Sequence, residues 1–238
     1  MSNATLLLLI FIALNVPSMT HANELTSDSR SHKNHILGRI ADGRYYGSGD
    51  LFSIALPVKL DSAEIGDFYE APNVGGVAFF NNGGFLLKLE IDEVIPEITH
   101  LTTNHPEIKH EILDALFYEL IIPQLKAYIP KLEILHEEKI SLANGERALF
   151  AVLNLPEAAT LVDMQTGRNL DSMRGYLLFL SDGNKELVNM NMQDTLTLIP
   201  NIAEAAKVNL NERLLNHLMQ YHTTFRIEPS ILAIPKAL

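Results

Sequence analysis

One stretch decides the fold of this chain: residues Val74–Ile91, with the sequence Val-Gly-Gly-Val-Ala-Phe-Phe-Asn-Asn-Gly-Gly-Phe-Leu-Leu-Lys-Leu-Glu-Ile. Its centre, Asn81–Gly84, consists of residue types that tolerate a positive φ, so the chain can reverse there as a β-hairpin. Beyond the turn, apolar residues alternate with Lys88 and Glu90. Because side chains of a strand alternate between its two faces, this pattern predicts a half-buried strand.

A later strand carries apolar residues on both faces. Ala148–Leu153 contains no polar residue, so its pattern differs from the alternation in the hairpin. Continuous apolar strands are typical of sheets that are covered on both sides. The sequence therefore predicts helices on two faces of one sheet.

Two segments have the spacing of amphipathic helices. In the first, an apolar residue recurs every fourth position from Ile108 to Leu120, and in the second from Leu210 to Leu218. The first helix is predicted to begin at Asn104 as the cap, with Pro106 in the first turn and Glu107 completing a capping box. Pro123 is predicted to end or kink it.

The remaining elements are predicted from alternation and turn residues. Glu157–Asp171 has no clear period and is predicted to be a loop. Further strands are expected within Gly43–Pro57, at Ile134–Leu142 and Arg147–Leu155, and at Gly175–Leu180 and Glu186–Met192. We therefore predict an α+β fold, with a central antiparallel β-sheet and helices packed on both faces as an α/β/α sandwich. Residues 36–238 are expected to form one such domain.

The N-terminal residues differ from the rest of the chain. Leu6–Val16 is apolar except for Asn15, and Thr20-His-Ala22 follows as a small-residue cleavage site. An apolar run of this length is typical of a secretory signal and is too short to span a bilayer. We expect residues 1–22 to be a signal peptide and residues 23–35 to be a flexible polar leader.

Composition narrows the classes of partner. The 238 residues carry a formal net charge of −11, which disfavours nucleic acid and anionic lipid. There is no cysteine, so neither a disulfide nor a lipid-modified cysteine is available. We expect no stable membrane anchor after signal cleavage, and a periplasmic or secreted location.

Motifs for catalysis or metal binding are not found in the sequence. It contains no phosphate-binding loop, no His-Glu-x-x-His pair and no calcium loop. Ser48, in a Gly-Ser-Gly turn, lacks the flanking residues of a nucleophile elbow. His110 and Asp114 have helical spacing, but two ligands do not form a metal site. No catalytic residue, metal site or cofactor is predicted.

Two groups of residues are candidates for binding. Asn189, Asn191 and Gln193 alternate with apolar residues, so their carboxamides are expected to point outward, where amides can bond a sugar or the backbone of a partner. An alternative is that the three residues are only the solvated face of an edge strand. Tyr45 and Tyr46, beside the Gly-Ser-Gly turn, could line a shallow contact patch, although one of them could instead belong to the core.

The order of elements resembles the PsbP-like family, which includes the extrinsic P protein of photosystem II, its bacterial relatives and a eukaryotic Ran-binding import factor. The similarity extends over residues 45–227. It rests on the strand Leu51–Pro57, the hairpin after it, a long helix, the strand Asn144–Val152, the hairpin Tyr176–Met192 and a closing helix that ends at Thr223-Thr-Phe225. The resemblance implies an accessory or binding role and assigns no functional residue.

Taken together, these patterns predict an exported binding or accessory protein without catalytic activity of its own. Its partner is expected to be a protein or a small ligand in the cell envelope. One alternative is a cofactor-independent hydrolase, which would need His105, His110 or His136 to meet an Asp or Glu in one pocket. Another is a secreted factor directed at a host.

Overall fold

The computed structural model describes residues 38–57, 64–71, 74–80, 86–162, 169–181, 183–194, 196–198 and 202–227. The predicted signal peptide and polar leader lie outside these residues, as does the predicted turn Asn81–Gly84. Within the described part of the chain, no helix combines the length and the apolar character needed to cross a membrane.

The described strands form two antiparallel sheets. The larger has seven strands in the order β4-β5-β6-β10-β9-β8-β7, and the smaller has four in the order β1-β2-β3-β11. The strands are β1 Arg39–Ala41, β2 Arg44–Tyr46, β3 Phe52–Ala55, β4 Glu64–Ala71, β5 Val74–Phe80, β6 Leu86–Glu93, β7 Glu133–Ser141, β8 Arg147–Val162, β9 Asn169–Leu180, β10 Glu186–Asp194 and β11 Arg226–Ile227.

Helices lie in two segments between strands. The α-helices are α1 Pro96–Asn104, α2 Lys109–Leu116, α3 Ile122–Tyr128, α4 Ala203–Val208 and α5 Leu210–His222. A 3-10 turn, Pro106–Ile108, precedes α2, and a π-helical turn, Phe117–Ile121, joins α2 to α3. Two further 3-10 turns are Ser48–Asp50 and Leu196–Leu198.

The hairpin that decides the fold is present. β5 pairs with β6 in antiparallel register from Val74 opposite Asp92 to Phe80 opposite Leu86. On β6, Leu87 and Leu89 are fully buried, as the alternation predicts. β6 pairs on its other side with β10, which places this hairpin beside the centre of the larger sheet.

The larger sheet has an apolar core on each face. One core lies under α5 and the smaller sheet, and the other lies under α1, the α2–α3 segment and the turns between them. Strand β8 contributes to both cores, since Phe150 belongs to the first and Leu149 to the second. This confirms the predicted α+β sandwich, with an additional small sheet that the sequence analysis did not separate from the central one.

Helix α5 lies close to the sheet where β9 has a glycine. A Cβ atom built at Gly175 would lie 3.0 Å from the Cβ of Leu214 and 3.2 Å from Cδ1 of Leu218. Both leucines are buried, as is Leu210. The predicted apolar stripe of this helix is therefore confirmed.

The predicted start of the long helix is wrong. Asn104 is the last residue of α1 rather than the cap of α2, and its side chain contacts His100. Pro96, at the first position of α1, begins a helix earlier than the sequence analysis expected. The π-helical turn lies just before Pro123, so the helical segment continues past the proline with altered geometry.

The predicted loop Glu157–Asp171 is also wrong. β8 continues to Val162 and β9 begins at Asn169, while residues 163–168 lie outside the described part of the chain. The pairing of these strands shifts register between Leu155 and Ala158 and again before Val162. Because such irregularities interrupt the period-two alternation, the sequence pattern did not show the strand.

Candidate functional site

The amide row, defined as Asn189, Asn191 and Gln193, lies in the centre of the larger sheet. Strand β10, which carries the row, has three neighbours on each side in the sheet order. The three residues have exposed fractions of 6%, 1% and 3%. The expectation that they point outward, and the alternative that they are only the solvated face of an edge strand, are therefore wrong. β10 is a central strand, and the row lies on the sheet face that carries Tyr176 and Leu178 of the second apolar core.

Several polar atoms of the row have no hydrogen-bond partner among the described residues. They are Oδ1 of Asn189, Oδ1 of Asn191, and both Oε1 and Nε2 of Gln193. Most buried polar atoms in proteins are paired, and an unpaired one costs about 1–3 kcal/mol. Four such atoms lie on this one strand, so the face carries hydrogen-bonding groups that the described residues do not satisfy.

Strand β9 adds two polar residues to the same face. Tyr176 lies opposite Asn191, and Arg174 lies opposite Gln193. The Tyr176 hydroxyl is buried and interacts with the side chain of Arg174. Burial raises the pKa of the Tyr176 phenol, and the nearby positive charge of Arg174 opposes that rise. The phenol thus stays protonated near neutral pH and can both donate and accept a hydrogen bond.

Strand β6, the neighbour of β10 on the side away from β9, contributes a charged pair. Glu90 accepts a hydrogen bond from the Lys88 ammonium group and a second, of 2.8 Å, from Nδ2 of Asn189. The side chains of Lys88 and Glu90 retain exposed fractions of 29% and 28%. We use the name polar cluster for the amide row together with four neighbours: Lys88, Glu90, Arg174 and Tyr176. Solvent reaches this cluster from the β6 side.

The two tyrosines predicted to line a contact patch lie in different environments. Tyr45 is fully buried, with its ring centroid 6.0 Å from that of Phe52 and 6.1 Å from that of Phe79. It therefore cannot form part of a surface patch, because the packing of the small sheet on the large one encloses it. Tyr46 is partly exposed, and the guanidinium group of Arg39 lies 4.1 Å from its ring centroid.

Histidine–carboxylate contacts occur at the surface. His105 Nδ1 lies 3.2 Å from Glu107 Oε1, and His136 Nε2 lies 3.5 Å from Glu138 Oε2. In each pair the carboxylate side chain is more than half exposed. In the described part of the chain, no three His, Asp or Glu side chains are grouped as metal ligands.

His110, the third histidine considered for a hydrolase, lies at the edge strand β7. Its Nε2 is 3.2 Å from the carbonyl oxygen of Ile140. One and two turns further along the helical segment, Asp114 pairs with Lys139 and Tyr118 donates a hydrogen bond to Glu137. This stripe lies along β7 and holds the helices to the edge of the sheet.

A small pocket of about 80 Å³ lies where β10 ends beside α5. Asp194 is buried there and accepts hydrogen bonds of 2.7 and 3.1 Å from Arg213, which also donates to the carbonyl of Ala206. Residues Met192, Gln193, Leu196, Leu214 and His217 complete the lining. Arg213 on α5 and Asp194 on β10 form an ion pair with two hydrogen bonds, which holds α5 on the sheet.

The sequence analysis missed the β9 members of the polar cluster. The predicted strand begins at Gly175, so it includes Tyr176 without a binding role and leaves Arg174 outside the strand. Their alternation around Gly175 has the same period as the amide row. This shared period was a sequence signal for two polar faces. The strand register that places Arg174 and Tyr176 beside the amide row is not visible in the sequence.

No protein-family model and no curated protein matches this sequence. Among solved structures, the chain is similar to a point mutant of the protein Mog1, at 11% identity and a TM-score of 0.45, over 81% of this chain and 99% of that one. It is also similar to the Saccharomyces cerevisiae Ran-binding protein Mog1p, at 11% identity and a TM-score of 0.43, over 80% and 95% of the two chains.

A third similar structure, of a Bacteroides thetaiotaomicron protein, has 6% identity and a TM-score of 0.36, over 79% of this chain and 49% of that one. Superpositions this loose establish neither a family nor a partner for this chain. Its fold and candidate site are therefore taken from its own geometry.

Proposed function

We propose that this protein is a binding or accessory protein that holds a polar ligand, or a segment of a partner, on the polar cluster. The observation that carries this proposal is the amide row: three buried carboxamides at the centre of a sheet, with four side-chain atoms unpaired within the described residues. A bound molecule with both donor and acceptor groups would satisfy these atoms.

The energetic argument concerns the choice of residues on β10. Apolar side chains at positions 189, 191 and 193 would extend the core beside Leu187 and Leu178 at no polar cost. Retaining three carboxamides there lowers stability in the unbound state. Such a cost is expected where polar groups serve binding, because sites for ligands carry a few precisely placed polar groups.

The proposed location is the periplasm or the extracellular space, and it follows from the N-terminal sequence alone. Intact mass measurement of the protein purified from the envelope fraction of an expressing cell tests it. The expected mass is that of a chain beginning at Asn23. Recovery of the chain from the cytosol with residues 1–22 attached would contradict the export proposal and leave the binding proposal unaffected.

A thermal-unfolding screen tests the binding proposal. The full chain is mixed with a panel of uncharged polar compounds, comprising oligosaccharides and terminally blocked peptides. A ligand at ten times its Kd stabilises the folded state by about 1.4 kcal/mol, which raises the Tm by a few degrees for a chain of this size. We expect at least one compound class to do so.

The matched variants are Asn191→Leu in the row and Asn216→Leu on the exposed surface of α5. Asn191→Leu is expected to abolish the ligand-induced rise in Tm, and Asn216→Leu is expected to preserve it. A rise that is equal in the two variants would show that the compound binds elsewhere, and would overturn the assignment of the polar cluster as the site.

A further inference from the structure

We infer that the polar cluster binds the backbone of an extended peptide, laid along β10. This inference rests on the proposed binding function and names the class of ligand. Its starting point is the spacing of the amide row: Asn189, Asn191 and Gln193 are alternate residues of one strand, so their side chains leave the same face at intervals of about 6.6 Å.

An extended peptide repeats with the same interval. In a β conformation, the N–H and C=O groups of every second residue point to the same side, again about 6.6 Å apart. A chain lying parallel to β10 can therefore present one backbone N–H to each member of the row without a change of register. A segment of about five residues would span the three positions.

The chemistry of the row also matches a backbone. A carboxamide carries one acceptor oxygen and one donor NH2 group, the complement of the C=O and N–H of a peptide residue. Gln193 has both unpaired within the described residues, and Asn191 has its oxygen unpaired. In Asn189 the oxygen is unpaired, and Nδ2 already donates one of its two hydrogens to Glu90. The row can thus accept three backbone N–H groups.

Charge favours a neutral ligand on the row itself. The row carries no charge, and the adjacent Lys88 and Glu90 neutralise each other through their contact. A charged ligand group placed on Asn189 or Asn191 would lose hydration. The positive charge of Arg174 lies at the other end of the row, opposite Gln193. A peptide backbone is neutral and meets this requirement.

Access to the row requires a local opening. The unpaired atoms are shielded from solvent, whereas Lys88 and Glu90 on the neighbouring strand remain partly exposed. The peptide therefore enters from the β6 side, and its binding is limited by that opening. Once bound, it pairs atoms that are already desolvated, so each hydrogen bond is gained without a further desolvation cost from the protein.

The experiment uses three probes of equal length with the full chain. The first is a blocked hexapeptide of Ala, Gly and Ser. The second carries N-methyl groups on residues 2, 4 and 6, and the third carries them on residues 3, 4 and 5. Binding is followed by NMR through the side-chain NH2 signals of Asn191 and Gln193. Methylation at alternate residues leaves one edge of the peptide intact, whereas consecutive methylation blocks both edges.

We expect the first two probes to shift these NH2 signals with Kd values within threefold of each other. The third should bind at least tenfold more weakly. Equal binding of the second and third probes, or no shift with the first, would overturn the peptide inference. An uncharged oligosaccharide that shifts the same signals, where the hexapeptide does not, would overturn it while leaving the proposed binding function in place.

Asn191→Leu and Asn216→Leu serve again as the matched pair. With Asn191→Leu, the first probe should no longer shift the Gln193 NH2 signal, and with Asn216→Leu the shift should be unchanged. Should Asn191→Leu fail to fold, Gln193→Met supplies the same test through the Asn191 signal. Persistence of the shift in a folded row variant would contradict the inference.

Discussion

Asn191 lies directly opposite Tyr176 across strands β10 and β9, and Oδ1 of Asn191 has no hydrogen-bond partner within the described residues. Both side chains are almost completely buried. Two buried polar groups that are adjacent but not bonded to each other lower the stability of the unbound protein. Their arrangement is understandable if a third molecule pairs with them.

The first prediction concerns the stability of Asn191→Leu. Replacing a buried carboxamide that has an unpaired oxygen with an apolar side chain of similar volume removes a cost of about 1–3 kcal/mol. We expect the free energy of unfolding of the unbound protein to rise by about 1 kcal/mol in urea denaturation. The same variant should lose ligand binding.

Asn184→Leu provides the contrast. Asn184 is also buried, but it has φ = 56° and donates from Nδ2 to Thr103 Oγ1 at 3.3 Å, while its carbonyl accepts from Thr99. Leucine there loses a paired group and strains the backbone, so we expect a loss of about 1–3 kcal/mol. Similar destabilisation by both variants would show that the amide row is structural.

The second prediction tests the close approach of α5 to the sheet. In Gly175→Ala, the added methyl group lies 3.0 Å from the Cβ of Leu214, which is closer than ordinary van der Waals contact, so Leu214 must yield slightly. Overpacking of this kind costs about 1–3 kcal/mol, which urea denaturation measures. Because part of the crowding comes from Cδ1 of Leu218, which alanine lacks, the loss caused by Leu218→Ala should be smaller in the Gly175→Ala background than in the wild type. Strict additivity of the two changes would contradict this account.

The third prediction is a loss of stability in acid that depends on His222. Its ring is half-buried, with the centroid 4.9 Å from that of Phe179, and Nδ1 is buried without a partner among the described residues. Burial lowers the pKa of His222 below its ordinary value of 6.5, and the charge of Arg226 lowers it further.

The folded state therefore favours neutral His222, and the unfolded chain binds the proton more readily. This stabilisation is fully present above pH 6.5 and is lost as the pH falls from 6.5 through the lower pKa of the folded state. In His222→Phe, the free energy of unfolding should fall less between about pH 7.5 and 5 than in the wild type. An identical pH dependence in the two proteins would contradict the prediction.

The fourth prediction concerns Tyr118 at the edge of the sheet. Its hydrogen bond to Glu137, together with partial burial and the negative charge of that residue, raises the pKa of Tyr118 to about 12. The raised value means that the stabilisation from this contact is fully present below pH 10 and is lost as the pH rises through about 12. Spectroscopic titration of tyrosinate should show one fewer group titrating near pH 12 in Tyr118→Phe.

Glu137→Gln is the matched variant, because it keeps the shape of the partner and removes its charge. The pKa of Tyr118 should then move toward its ordinary value of 10. Titration curves of this variant that coincide with the wild type would show that the contact with Glu137 does not hold the phenol in its protonated form.

The sequence predicted the parts of this fold that depend on local pattern. Alternation in Val74–Ile91 predicted the central hairpin, and the apolar run Ala148–Leu153 predicted a strand covered on both sides. The spacing of Leu210, Leu214 and Leu218 predicted the helix on one face. Each signal lies within a few turns or strand residues, where the geometry of a helix or strand fixes which side chains share a face.

Only the tertiary structure decided what those faces contact. Alternation placed Asn189, Asn191 and Gln193 on one side of β10, but it could not show that β6 and β9 flank that strand and make it central. Nor could it show that the small sheet encloses Tyr45. Strand order and register arise from pairings between residues far apart in the chain, and their free energy comes from packing across the whole sheet. A local pattern therefore determines the face of a side chain, while its burial is determined by the neighbours that folding brings to it.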